Sequence, residues 1–181
     1  MASIAIIALL VLGCVPAHAQ SPSGFTWLQH PRLTWDDFKG QPAKSVSYPS
    51  VVSDTGFKYQ LGCRSGLLDI EAAAFFWPSG SWVRPDGKTP GLLRHEQGHF
   101  DIAELCALRW RKAVLDAKIG CEDRAKANAA GEKIVGEFQR DWHDAERDYE
   151  KDTKYGTDLR EQDAASARIA ADLAAMSANW H

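Results

Sequence analysis

From about Ser47 to Trp82, apolar and polar positions alternate loosely. Val51, Val52, Phe57, Tyr59 and Leu61 form one run, Leu67, Leu68, Ile70, Phe75 and Phe76 a second, and Arg64, Ser65 and Gly66 lie between them. A period near two belongs to strands with one buried face. This stretch therefore reads as antiparallel strands, joined by a turn between Gly62 and Gly66, where glycine takes backbone angles other residues avoid. Pro78, Gly80, Pro85 and Gly87 mark a loop. Beyond it the period lengthens to that of helices. Thr89 and Pro90 supply an N-cap and a first-turn proline, predicting a helix to about Ala117 or Lys118 that Gly120 stops. A second helix is expected from about Asp123 through Asp152, ending near Gly156. A third is expected from about Asp158 to Asn179, with Asp158 and Glu161 spaced as a capping pair. Residues 20–33, rich in Pro, Ser and Gln, read as a poorly ordered lead-in, and Thr34 with Asp37 could cap one short helical turn within Leu33–Gly40. The pattern predicts an α+β fold, a small antiparallel sheet packed on two long helices with a third helix at the C-terminal end.

The 181 residues, 45% of them hydrophobic, suffice for one compact domain, taken as 20–181. Lys and Arg are scattered through the helical segments and the net charge is -3, so there is no basic stripe to follow a phosphate backbone and nucleic acid is not an expected partner. Ile4 to Gly13 form an apolar stretch too short to span a bilayer, followed by Pro16 and the small-x-small triplet Ala17, His18, Ala19. This reads as a signal peptide over 1–19, giving a secreted or periplasmic chain with no transmembrane segment after its removal. Lipid attachment at Cys14 is the less favoured alternative, because Leu12 suits that signal poorly. An oxidising compartment lets two of Cys63, Cys106 and Cys121 pair. Cys106 and Cys121 would flank most of a straight helix and lie roughly 20 Å apart, too far for a disulfide. Of the two pairings left to Cys63, the one with Cys121 is expected. Cys106 then falls on an apolar helical face as a small buried hydrophobe.

The chemistry is concentrated in His95, Glu96, Gln97, Gly98 and His99. Four residues apart on a helix, the two histidines lie within roughly 40° of each other and can reach one metal ion. Glu96, beside them, can take a proton from a water whose pKa the metal lowers. Ile102, Cys106, Trp110 and Ala113 continue the histidine face, so it points inward. The bland alternative is a pair of core histidines satisfied by hydrogen bonds.

Catalytic zinc takes a third protein ligand and keeps one position open. Asp101 and Glu104 lie near 240° and 180° from His95, too far round the same helix to contribute. On the second helix, with its apolar stripe Ile134, Phe138, Trp142, Ala145 and Tyr149, Asp152 falls inside the stripe at about -40° from Phe138. Asp141 lies at its edge, Asp148 and Glu146 just beyond, Glu150 and His143 further out. A carboxylate on an apolar face needs a partner. A metal is one, making Asp152 the expected third ligand, and a helix-terminal hydrogen bond to Thr153 or nearby backbone is the other. Tyr155 could donate its hydroxyl to an oxyanion, or simply pack.

Three segments, Leu33-Thr-Trp-Asp-Asp-Phe-Lys-Gly40, Leu93-Arg-His-Glu-Gln-Gly-His-Phe-Asp-Ile102 and Tyr149-Glu-Lys-Asp-Thr-Lys-Tyr-Gly156, resemble a family of bacterial proteins described as predicted secreted zinc-dependent proteases. The resemblance implies a zincin-like helical part and an acidic ligand at Asp152. This chain has Tyr155 where the family usually has a histidine. Asp152, Tyr155 and Gly156 also look like the Asp-x-x-Tyr-Gly element of the aspzincin peptidases, whose aspartate is a third ligand and whose tyrosine is a transition-state donor. The expectation is a zinc metallopeptidase acting on a peptide or protein substrate, with Zn2+ on His95, His99 and Asp152, Glu96 as general base and Tyr155 as oxyanion donor. The alternative is an envelope binding or scaffolding module with a structural zinc and no turnover. The sequence says nothing of oligomeric state.

Overall fold

The computed structural model describes residues 24–42 and 50–178. The signal segment 1–19 and Cys14 lie outside the described residues. In chain order the strands and α-helices are β1 (Phe25–Thr26), β2 (Val51–Val52), β3 (Thr55–Arg64), β4 (Leu67–Phe76), β5 (Trp82–Val83), α1 (Pro90–Asp116), α2 (Arg124–Thr153) and α3 (Leu159–Ser177), with single 3-10 turns at Trp35–Asp37 and Pro85–Gly87. The fold is α+β, as the periodicities predict, with two small antiparallel sheets, ordered β1-β4-β3 and β2-β5, and three α-helices among the described residues.

The β3–β4 hairpin keeps one register from Arg64↔Leu67 to Thr55↔Phe76. Ser65 and Gly66, with φ of 52° and 81°, make the two-residue turn, a left-handed pair whose twist matches the flanking strands. Gly62, the other glycine in that stretch, stays within β3. Along β4, Leu68, Ile70, Ala72, Ala74 and Phe76 alternate onto one buried face. The lower half of that face packs with Ala107, Trp110 and Val114 of α1, and the upper half with Phe100 and Ala103.

α1 begins where Thr89 Oγ1 accepts from the Leu92 N–H at 3.2 Å and Pro90 fills the first turn. The sheet covers one of its sides. Tyr149 of α2 and Ala165 of α3 meet Ile102 and Cys106 on another, and Leu173 of α3 meets Leu105 and Leu108. A helix enclosed this way buries polar residues too, and each needs a partner. Glu104 accepts from the Ala74 N–H at 2.9 Å and pairs with Arg111 at 3.1 Å. Asp101 accepts from Trp27 Nε1 and from Gln97 Nε2, both at 2.7 Å.

These contacts correct the reading of the lead-in for its described part. Phe25 and Thr26 pair with Phe76 and Phe75 as an edge strand. The Leu33 N–H donates to Gln97 Oε1 at 2.8 Å, and Gln97 Nε2 donates to the Pro31 carbonyl at 3.0 Å. Phe25, Trp27 and Leu33 supply enough apolar surface against Phe76 and Phe100 to hold the segment despite its polar composition. Beyond α1, Cys63 and Cys121 form a disulfide, and Cys106 is a buried free thiol. No helix among the described residues is long and apolar enough to cross a membrane.

Candidate metal centre

His95 and His99 lie in the second and third turns of α1, both buried. Their Nε2 atoms are 3.3 Å apart. The carboxylate that joins them is that of Glu150 on α2, 3.2 Å from His95 Nε2 through one oxygen and 3.4 Å from His99 Nε2 through the other. His95, His99 and Glu150 thus form a group that could hold a metal ion. With one donor atom from each residue the three lie within 4.8 Å of one another, and two imidazole nitrogens with a carboxylate oxygen are a donor set of the kind that zinc takes.

The far side of each imidazole is held as well. His99 Nδ1 is in short contact with Glu146 Oε2, and Glu146 Oε1 accepts from Trp142 Nε1 at 3.0 Å. His95 Nδ1 is 3.0 Å from Gln162 Oε1. Tyr149 stacks on the His95 ring with 5.0 Å between centroids, and its hydroxyl donates to the His95 carbonyl at 3.0 Å. That packing requires glycine twice. A Cβ on Gly98 would lie 2.0 Å from the Tyr149 hydroxyl oxygen, and one on Gly156, whose φ is +74°, would lie 2.8 Å from the Cβ of His95.

The charge of the group is concentrated. Burial alone would lower the pKa of His99, but hydrogen bonds to Glu146 and Glu150 overcome it and raise the value to about 10. Burial would raise Glu150, yet its hydrogen bonds with His95 and His99 bring it down to about 2.

The structure puts Asp152 elsewhere. It is exposed and lines, with Asp148, a separate cavity of about 220 Å³ between α1, α2 and α3. The carboxylate grouped with His95 and His99 is therefore that of Glu150 and not the expected Asp152, and the reason is angular. The buried residues of α2, Ala127, Gly131, Val135, Tyr149 and Thr153, centre about 30° from Phe138. Asp152, at about -40°, and Glu150, at about 120°, flank it on opposite sides. A stripe of apolar residues cannot say which flank meets the histidines. A usable signal was present, since Glu146 and Glu150 repeat the four-residue spacing of His95 and His99.

Glu96 is buried and stands outside the ligand group, accepting from the Ser53 hydroxyl at 2.5 Å. Together with His95, His99, Glu146 and Glu150 it lines an open cleft of about 520 Å³, whose opposite wall is Ser50, Val51, Val52, Ser53 and Thr55. No Lys or Arg is among the described residues lining it. Tyr155, in a left-handed conformation with φ of 58° and 61% exposed, stands at the rim. Ser53 and Gln162 carried no motif. Gln162 was legible only as a polar residue in phase with Ala165, Ile169 and Leu173 on α3.

Residues 81–156 match a family described as "Bacterial protein of unknown function (DUF922)". The matched stretch contains His95, Glu96, His99, Glu146, Glu150 and Tyr155. No curated protein and no solved structure matches the chain.

Proposed function

We propose that the chain is a zinc-dependent peptidase in which His95, His99 and Glu150 hold the ion and Glu96 is the general base. One observation carries this reading: the three-ligand group opens onto a cleft, and the carboxylate beside it, Glu96, is left out of the ligand set. A structural zinc site is closed by four protein ligands, whereas a catalytic one keeps a position free. Bound there, zinc supplies Lewis acidity, polarising a carbonyl and easing deprotonation of water.

The chain's own residues account for the rest. Glu96 lies next to His95 on α1, and the Ser53 hydroxyl orients one of its oxygens, leaving the other to accept a proton in the cleft and return it to a leaving amine. Tyr155 at the rim can donate its hydroxyl to a developing oxyanion. A cleft with carboxylates, Val51, Val52 and Leu92, and no basic side chain among its described residues, suits an uncharged or cationic stretch of peptide better than an anionic ligand. The disulfide supports maturation in an oxidising compartment, and the apolar start of the sequence supports export.

The test is Glu96→Gln, with zinc content and hydrolysis of a library of unstructured peptides measured on both proteins. The expected result is equal zinc content with turnover reduced by at least about two orders of magnitude, the scale of a lost general base. A zinc-loaded wild type that cleaves nothing in the library, or a variant that cleaves equally well, overturns the catalytic reading in favour of a structural zinc module.

A further inference from the structure

The third helix carries Gln162, which is fully buried although nothing about a helix interior calls for an amide there. Its hydrogen bonds form a closed set. The Tyr149 hydroxyl has given its proton to the His95 carbonyl at 3.0 Å, so toward Gln162 it can only accept. It takes the N–H of Gln162 Nε2 at 2.6 Å, and the same amide nitrogen reaches Ser166 Oγ at 3.2 Å. The amide is thereby oriented, and Oε1 must face His95 Nδ1 at 3.0 Å as an acceptor. Thr153 closes the remaining direction. Its hydroxyl donates to the Tyr149 carbonyl at 2.7 Å, so the oxygen, 3.4 Å from His95 Nδ1, also presents a lone pair.

Two acceptors facing Nδ1 require that nitrogen to carry hydrogen. Once an ion displaces the hydrogen that His95 Nε2 shares with Glu150, the lone pair of a neutral His95 lies on Nε2, the atom grouped with His99 and Glu150. We infer that Gln162 is a positioning residue for the metal: α3 fixes the tautomer and ring angle of His95 and so sets the affinity of a site to which it gives no ligand. The matched family stretch ends at Gly156, before α3 begins. Gln162 thus lies outside that stretch, while Tyr149 and Thr153, which orient it, lie inside. His99 receives the equivalent support from Glu146, inside it.

This inference rests on the metal reading of the His95 group, and the test separates the two. Zinc is titrated into metal-free wild type, Gln162→Met, Gln162→Leu and Gln162→Glu against a chromophoric chelator, and thermal unfolding of each metal-free protein is recorded alongside. Met, unbranched and similar in length, covers the case in which Leu does not fold. The Met and Leu variants lack the acceptor and are expected to bind zinc roughly 10–100-fold more weakly, the usual cost of losing an outer-shell partner. Gln162→Glu keeps an oxygen toward Nδ1 and is expected to stay within a few fold of wild type, even though it disturbs the Tyr149 contact. Wild-type affinity in Met and Leu overturns the inference alone. So does a Glu variant as weak as Met, because packing and not the acceptor would then be the cause. A wild type that takes up no zinc overturns the metal reading and this inference with it.

Discussion

Glu150 and Asp152 are two residues apart on α2 and point about 160° apart around its axis, so only one of them can share a face with the histidines. Glu150 has that place, 3.2 Å from His95 Nε2 and 3.4 Å from His99 Nε2, while Asp152 is exposed beside the cavity behind α1. The two carboxylates therefore make a clean pair of variants. Glu150→Ala removes an oxygen ligand and leaves two histidines, and it is expected to lose stoichiometric zinc. Asp152→Ala is expected to bind zinc as wild type and, as a surface change, to alter stability by no more than about 0.5 kcal/mol. Zinc content by mass spectrometry after dialysis reads both, and zinc lost from Asp152→Ala but kept by Glu150→Ala would reverse the assignment. The residues legible in the sequence were those whose role is local. His95, Glu96 and His99 announce themselves by spacing along one helix. Glu150, Ser53 and Gln162 acquire meaning only when α2, the segment after β2 and α3 arrive at α1.

The elements follow the same division. α1, α2 and α3 begin at caps written into adjacent residues, with Thr89, Asp123 and Asp158 each accepting from the backbone three residues on, and all three starts were legible. β1 was not, because two residues have no periodicity and Phe25–Thr26 is a strand only because β4 offers an edge. The disulfide was legible in part, since distance along α1 excludes Cys106 with Cys121 but does not choose between the two partners left to Cys63. It ties the end of β3 to the loop after α1, next to the Leu68 N–H bond to the Ile119 carbonyl and the Cys121 N–H bond to the Gly66 carbonyl. His99 and the helix end at Asp116 are separated by about 26 Å of helix, so this staple sits at the opposite end from the metal group. Replacing Cys63 and Cys121 together by Ala is expected to lower stability by about 2–4 kcal/mol, for a 58-residue sequence separation. Zinc affinity should be retained. Denaturant unfolding and zinc titration of the double variant measure the two effects, and loss of zinc binding by a folded variant would show that the hairpin end and the metal end are not independent.

At the scale of the whole molecule, α1 is the common wall: the sheet, α2 and α3 each meet it, and the metal group lies where its N-terminal half faces α2 and α3. The charges held there make the stability of the chain depend on pH in a direction that can be worked out. His99 has a folded pKa of about 10, above the ordinary value near 6.5, because Glu146 and Glu150 hold its proton. Its contribution is complete below the ordinary value and is lost as pH rises through about 10. Glu150 is displaced the other way, to about 2, so its contribution is present above its ordinary value near 4.5 and is lost as pH falls through about 2. The metal-free chain should therefore melt highest, as far as this pair decides, between those two ordinary values, and progressively lower from about pH 6.5 to 8.5 and beyond. Zinc, on the proposed reading, is expected to reverse the trend. It needs the lone pair that the proton occupies on His99, so its affinity rises as the proton leaves. The stabilisation it gives grows with affinity at fixed free concentration. Melting curves at pH 6.5, 7.5 and 8.5, with chelator and with buffered free zinc, are expected to diverge as pH rises, the metal-free midpoint falling while the zinc-induced gain widens. A metal-free midpoint that climbs over this range would mean that His99 is not held protonated by its carboxylates. A gain that narrows would mean that zinc does not compete with that proton.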